Sequence, residues 1–176
     1  MPYVRNGQFE RPTVSAGNGF STFVAGQSFD GWKVLQGSVD IVGASFWEPG
    51  DGAQSLDLNG TTRGIVRTKF ETQIGATYEL KFLAAGSASP LVTDSDLSVF
   101  VGKRASGRND FLLPGSPSNG DMDWQEKTIT FTATREKTKF FFSGDGDSGA
   151  NGPALDAVRV ELVTPAPASV ATDWSL

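Results

Sequence analysis

TYELKFLAAG (residues 77–86) is the stretch on which the fold turns. Tyr78, Leu80 and Phe82 alternate with Glu79 and Lys81, the two-residue period of a strand with one dry face and one wet face. The same period returns in DLSVFVG (96–102), where Leu97, Val99 and Val101 face inward. In DWQEKTITFTAT (123–134) it places Trp124, Ile129 and Phe131 toward the core, with a twist or bulge between them. Upstream, FDGWKVLQGSVDIVG (29–43) predicts two strands, about 31–36 and 38–43, joined through Gly37, and SLDLNG (55–60) sets Leu56 and Leu58 on one face.

At the beginning, residues 3–10 read as a short first strand anchored by Val4 and Phe9, and residues 13–29 as a strand and a loop over the core edge. TKFFFSGDGDSGANGPALDAVRVELV (138–163) supplies two closing strands around an acidic, glycine-rich loop. A Gly/Pro/Ser segment, 103–121, reads as a long surface loop interrupted by Phe111, Leu112 and Leu113. No stretch has the period of an amphipathic helix, and no internal repeat is visible. About nine to eleven short strands with 21 glycines and 9 prolines predict an all-β fold. The expected form is a two-sheet antiparallel β-sandwich, a jelly roll. One domain is expected over 1–163, followed by a Pro/Ala-rich tail, 164–176.

The composition narrows the chemistry. The 176 residues are enough to bury a core without cross-links, and 13 Phe and 4 Trp supply much of it. With no Cys and no His, thiolate and imidazole ligands are excluded, so a tightly bound ion is expected to be hard and oxygen-coordinated, with calcium first. A net charge of −5, with basic residues scattered along the chain, argues against nucleic acid as a partner. No apolar run approaches the ~20 residues that span a bilayer. There is no G-x-S-x-G, no phosphate loop and no carboxylate pair whose placement marks a glycosidase, so no catalytic residue is assigned.

Two sets of residues remain. VRNGQFERP (4–12) and NGPALDAVRVELV (151–163) each place an acid, Glu10 and Asp156, beside turn residues at the margin of an apolar run. In a jelly roll the first and last strands often lie together, and two adjacent carboxylates repel unless a cation holds both. Asp51 and the turn leading to Gln54 are suitable further contributors of oxygen. The alternative is that Glu10 and Asp156 simply accept hydrogen bonds from turn amides. Asp145 and Asp147 sit in an acidic loop that only superficially echoes a calcium loop, and solvated charge explains them. Trp32 and Trp124 lie in strand patterns and read as core. Trp47 and Phe46, in a turn-rich loop beside Glu48, are candidates for a ring that packs on a sugar.

NGQFE, DGWKVLQGSVDIVG, DGAQSLDLNG, GATYELKFLAAG, W…ITFTAT and NGPALDAVRV occur in the order seen in choice-of-anchor C domains. Those bacterial surface domains are similar to the DUF642 group of plant cell-wall proteins, and both resemble the galactose-binding-like jelly roll of many carbohydrate-binding modules. The resemblance spans roughly residues 4–163. It implies a structural calcium held by Glu10 with the carbonyl of Gln8, by Asp51 and Gln54, and by Asp156. It also implies a non-catalytic, sugar-binding role at the cell surface or outside the cell. MPYVRNGQFE lacks the layout of a leader and ATDWSL lacks a sorting element, which leaves the mode of attachment open.

The expected function is therefore carbohydrate binding with a structural calcium. Trp47 and Phe46 would be platforms, and Asp40, Asn59 and Arg63 polar contacts near strand ends. Two other readings compete with it. One is an assembly module that buries Phe111–Leu113 and Trp174 against a second copy or another protein. The other is a small glycan-active enzyme with two carboxylates across a cleft.

Overall fold

A computed structural model describes residues 4–15, 17–104, 107–144 and 149–168. Among these there are twelve strands and no helix. They are β1 (Phe20–Val24), β2 (Ser28–Phe29), β3 (Trp32–Gln36), β4 (Ser38–Gly43), β5 (Gln54–Asp57) and β6 (Ile65–Glu71). The second half supplies β7 (Thr77–Ala85), β8 (Asp94–Val101), β9 (Arg108–Pro114), β10 (Gln125–Thr132), β11 (Lys137–Ser143) and β12 (Ala154–Thr164). All pairings are antiparallel. The first sheet runs β1-β4-β5-β12-β7-β10 and the second β2-β3-β6-β11-β8-β9, a two-sheet β-sandwich of jelly-roll type.

Alternation decides which residues fill the space between the sheets. Val39, Ile41, Leu56, Leu80, Phe82 and Val160 of the first sheet meet Val34, Val66, Leu97, Val99, Phe140 and Phe142 of the second, all essentially inaccessible. Burying a side chain of this size stabilises by about 1.5–3 kcal/mol, and a dozen of them make the sandwich self-sufficient. Phe82 packs edge-on against Phe142 at 5.5 Å and against Phe111 at 5.7 Å. Such rings contribute geometry as well as area.

The first residues differ from expectation. Val4 and Phe9 are buried as anticipated, but residues 5–8 form a turn rather than a strand. Asn6 and Phe9 have positive φ, 52° and 54°, which a continuous strand cannot accommodate. The segment is held from two sides. The Trp32 indole N–H donates to the carbonyls of Arg5 and Asn6 at 3.1 Å, and Val158 N–H donates to Gly7 O at 2.8 Å. A Cβ on Gly7 would lie 2.1 Å from Val158 O, so only glycine allows this approach.

Two further corrections concern loops. The segment expected to be a long surface loop contains β9, which pairs with β8 from Asp94↔Pro114 to Phe100↔Arg108. It is an edge strand, so Phe111 and Leu113 turn inward while Leu112 is 64% exposed, a one-sided pattern that its polar flanks obscure. Trp124 lies outside the main core, half-buried on a loop, with its indole N–H on Glu48 O at 3.0 Å. Trp32, 1% exposed, is core as expected. Asp145, Asp147 and Trp174 lie outside the described residues.

Candidate functional site

The outer face of the first sheet carries the site. Because Val39, Ile41 and Leu56 point inward, Asp40, Val42, Ser55 and Asp57 point outward. Register then aligns them in rows across the strands. One row is Thr22, Asp40, Asp57, Ala154 and Ala85; the next begins Phe20, Val42, Ser55. Loop residues fold over the middle of this face. Trp47 donates its indole N–H to Ser55 Oγ at 2.7 Å and packs with Val42, Ala85, Met122 and Ala154 as a second, smaller apolar cluster. Glu48 N–H donates to Asn119 O at 2.7 Å, and the Asn119 amide donates to Phe46 O at 3.1 Å, tying the two covering loops together.

What the loops leave open is a cleft of about 280 Å³. Asp40 and Asp57 line it, with the rings of Phe20, Phe46 and Trp47 and polar groups from Ser87 and Asn119. Phe20 and Phe46 pack edge-to-face at 5.6 Å and stay 38% and 46% exposed. Trp47 is 7% exposed, so its ring is a wall of the cleft and not an open platform. Its loop folds back onto the sheet to satisfy the indole N–H, which is what buries it.

The electrostatics of the floor are unusual. Asp40 and Asp57 are cross-strand partners, 9% and 7% exposed, with no ion pair among the described residues. Burial raises the Asp40 carboxyl above its ordinary range, and a hydrogen bond from Thr22 only partly offsets this. Asp57 is pushed well above, by burial first and by the charge of Asp40, against the pull of the Asn59 N–H at 2.8 Å. Asp40 Oδ1 is buried without a hydrogen-bond partner. Like charges directly opposite on neighbouring strands destabilise a sheet, and perturbed carboxyls in a cleft mark candidate sites. Gly60 closes over the pair: a Cβ there would lie 2.9 Å from Asp40 Oδ1 and 3.0 Å from Ser38 Oγ.

Of the five residues expected to contact a ligand, Phe46, Trp47 and Asp40 come together here. Asn59 and Arg63 do not. Asn59 is fully buried, its side chain packed where Cβ atoms on Gly144 or Gly152 would stand. Arg63 turns to the second sheet and donates to Ser143 Oγ at 3.1 and 3.2 Å. Asp57, Phe20, Ser87 and Asn119 escape the sequence reading. The alternation of SLDLNG puts Asp57 opposite in facing to Leu56 and Leu58, but only strand pairing shows that it lies beside Asp40.

The other expected constellation also assembles. Asp156 is fully buried; Asp51 N–H donates to its Oδ2 at 2.8 Å and Ala157 N–H to its Oδ1 at 2.6 Å. Gln8 donates its amide to Asp51 Oδ2 at 2.7 Å. Ala53 and Gln54 N–H groups both donate to Glu10 Oε1, at 2.7 and 3.1 Å, and the Gln54 amide donates to the carbonyls of Phe9 and Pro12. Burial outweighs the N–H donors and, with the nearby charge of Asp51, lifts the Asp156 carboxyl to about 8. The two extremities of the domain thus meet around Asp51. Hydrogen bonds to turn amides, the alternative set beside a metal, are present throughout. Among the described residues no three acidic side chains converge closely enough to form a metal cluster. The oxygen-only donor set suits a hard cation, which would favour the ionised form of the buried Asp156 carboxyl beside Asp51.

The fold is of a known class, two-sheet β-sandwiches that solved carbohydrate-binding modules also adopt. TmCBM61, solved in complex with β-1,4-galactotriose, is similar with a TM-score of 0.51 at 13% identity, over 94% of this chain and 99% of that one. Xyl-CBM35, solved with a glucuronic acid containing disaccharide, gives 0.52 at 16% identity, over 83% and 94%. CBM35 from Paenibacillus barcinonensis gives 0.50 at 16%, over 80% and 98%. At these identities the likeness is one of fold.

Within that class the chain belongs to the family described as "Protein of unknown function (DUF642)", whose profile matches residues 2–161. It is also 34% identical over 164 residues to halomucin of Haloquadratum walsbyi (strain DSM 16790 / HBSQ001). That match takes in 89% of this chain and only 2% of the relative's length.

Proposed function

We propose that this domain is a non-catalytic carbohydrate-binding module whose site is the outer cleft of the first sheet. The carrying observation is the Asp40–Asp57 pair, set beneath the exposed Phe20–Phe46 pair in an otherwise well-packed face. Carboxyl oxygens accept hydrogen bonds from sugar hydroxyls, and phenyl rings pack on the C–H face of a pyranose. The fold shared with sugar-binding modules supports this reading, as does the cleft's volume of about 280 Å³, which suits a small saccharide.

The same pair argues against hydrolysis. A glycosidase holds its two carboxyls on opposite sides of the scissile bond, about 5–9.5 Å apart. Asp40 and Asp57 are immediate cross-strand neighbours on one floor, so both reach a bound sugar from the same side. A glycan array followed by calorimetry tests the proposal. Phe46→Ala and Asp40→Asn are expected to weaken binding at least tenfold, and Arg63→Ala to leave it unchanged. Binding indifferent to both cleft variants would end the assignment, and release of reducing sugar would end the non-catalytic part.

A structural calcium at the junction of the two ends is proposed as well, held by Glu10, the Gln8 carbonyl, Asp51, Gln54 and Asp156. The fully buried Asp156 carboxyl beside Asp51 favours it. A bound ion would supply fixed positive charge there. Calcium is expected to raise the melting temperature and a chelator to lower it; identical melting in both rules the ion out. A cell-surface or extracellular location, and a finer kinship with choice-of-anchor C domains, are proposed on the resemblance of the motifs.

A further inference from the structure

We infer that the outer face of the second sheet is a separate binding surface for an acidic polysaccharide. Its cross-strand cations would meet the polymer's carboxylates or sulfate esters. The inference rests on the carbohydrate reading only for the chemistry of the polymer; the charge pattern stands by itself.

Alternation sets the pattern. Val34, Val66, Thr68 and Phe140 point into the sandwich, so Lys33, Arg67, Lys69 and Lys139 point out. Register then opposes cation to cation: Lys33↔Arg67 and Lys69↔Lys139. The first pair continues across the sheet as Phe141, Phe100 and Arg108, and the Arg108 guanidinium lies 6.0 Å from the Phe100 ring centroid. None of Lys33, Arg67, Lys69 and Lys139 makes an ion pair among the described residues.

The chain does not lack acids to neutralise them, with 20 Asp and Glu against 15 Lys and Arg. Lys81 of the first sheet sits between Glu79 and Glu161. At the margins of this same face Lys137 pairs with Glu71 and Arg108 with Asp110, which leaves Lys33, Arg67, Lys69 and Lys139 as its centre, unpaired among the described residues. Two adjacent like-charge pairs destabilise a sheet, so this cluster of four unpaired cations on a net-negative domain calls for an outside polyanion. Scatter along the sequence hid this face, because its residues come from four strands.

The face leads into a groove of about 660 Å³ where Lys103, Arg108 and Lys139 share the walls with Thr130, Thr132 and Thr134. Cations and hydroxyls interleaved along a groove match a polymer that carries both acid groups and hydroxyls. Single-stranded nucleic acid fits less well, because its bases need open rings for stacking. Phe141 is 8% exposed and Phe100 lies beneath Arg108.

Native electrophoresis through gels containing polygalacturonate tests the surface, with methyl-esterified polygalacturonate and oligo(dT) as matched arms. Retardation by the free acid is expected, lost on esterification and falling steeply with salt. Lys69→Glu should weaken it at least tenfold. That substitution replaces a repulsive pair by an attractive one, so melting no lower than wild type separates lost binding from lost fold.

The inference is overturned by undiminished retardation of the Lys69→Glu and Arg67→Glu variants, by equal affinity for the ester, or by tighter binding of oligo(dT). Phe46→Ala should leave polygalacturonate retardation unchanged; loss of retardation in that variant would mean there is no second site. Polygalacturonate binding without any neutral-glycan binding would sink the cleft proposal and leave this one standing.

Discussion

The two outer faces of the sandwich break the same rule with opposite signs. On the first sheet, Asp40 stands opposite Asp57 with loops folded over them; on the second, Lys33 and Lys69 stand opposite Arg67 and Lys139 in the open. Depth separates their energetics. The acids are nearly buried, so desolvation above all raises both carboxyls, with the charge of Asp40 adding to the shift of Asp57, and salt affects this little. Most of the cations are exposed, so salt screens them. The difference teaches that one sheet fold can carry a pH-sensitive pocket and a salt-sensitive surface.

The largest effect expected from breaking this contrast is at the floor of the cleft. Asp40→Asn combined with Asp57→Asn removes two buried like charges while keeping an oxygen for the Asn59 N–H. Denaturant unfolding near pH 8 should show stabilisation of roughly 1–3 kcal/mol, together with weakened sugar binding. A less stable double variant would mean that the pair is structurally satisfied.

Next comes pH. A carboxyl whose pKa is raised by folding holds its proton more tightly in the native state, so stability is greatest at low pH and declines as pH rises. For Asp156 the decline runs from about pH 4 to about pH 8 and then levels off. Its slope is at most about 1.4 kcal/mol per pH unit, and Asp40 and Asp57 add declines of their own. Denaturation midpoints in chelator should therefore fall from pH 5 to pH 8. Calcium, competing with the proton at Asp156, should flatten the trend, whereas Lys69→Glu should leave its slope unchanged.

The cationic face is expected to give smaller shifts. Lys69→Glu should stabilise by about 0.2–1 kcal/mol in dilute buffer. Smallest is the response of the wild type to salt. Moving from 0.05 to 0.5 M sodium chloride should raise its stability by a few tenths of a kcal/mol as the like-charge pairs are screened. That increment should shrink in Lys69→Glu.

Much of the architecture was legible because alternation is a local property. Tyr78, Leu80 and Phe82 announce β7, and Trp32 through Gln36 announce β3, without reference to any partner. Edge strands were harder. Only one face and one side of β9 are covered, so Leu112 and its polar neighbours dilute the signal. The junction of the two ends was legible in Glu10, Asp51, Asp156 and the turn leading to Gln54, because turn residues beside acids mark strand margins, whereas Gln8 was implied only by the family resemblance. The cleft was half legible. Phe46, Trp47 and Asp40 stood out as loop aromatics and a strand acid, whereas Arg63 looked available until its bond to Ser143 was seen.

Sequence alone determined the class of fold, most of the inward residues and the oxygen-only character of any metal site, since these depend on period and composition. Tertiary structure decided which outward residues stand side by side. Strand order is set by how distant segments pack, and it turned Asp40 with Asp57, and Lys69 with Lys139, from unrelated positions into neighbours about 5 Å apart. Coulomb energy depends on separation in space, so charge patterns that suggest function emerge only when the sheets are assembled.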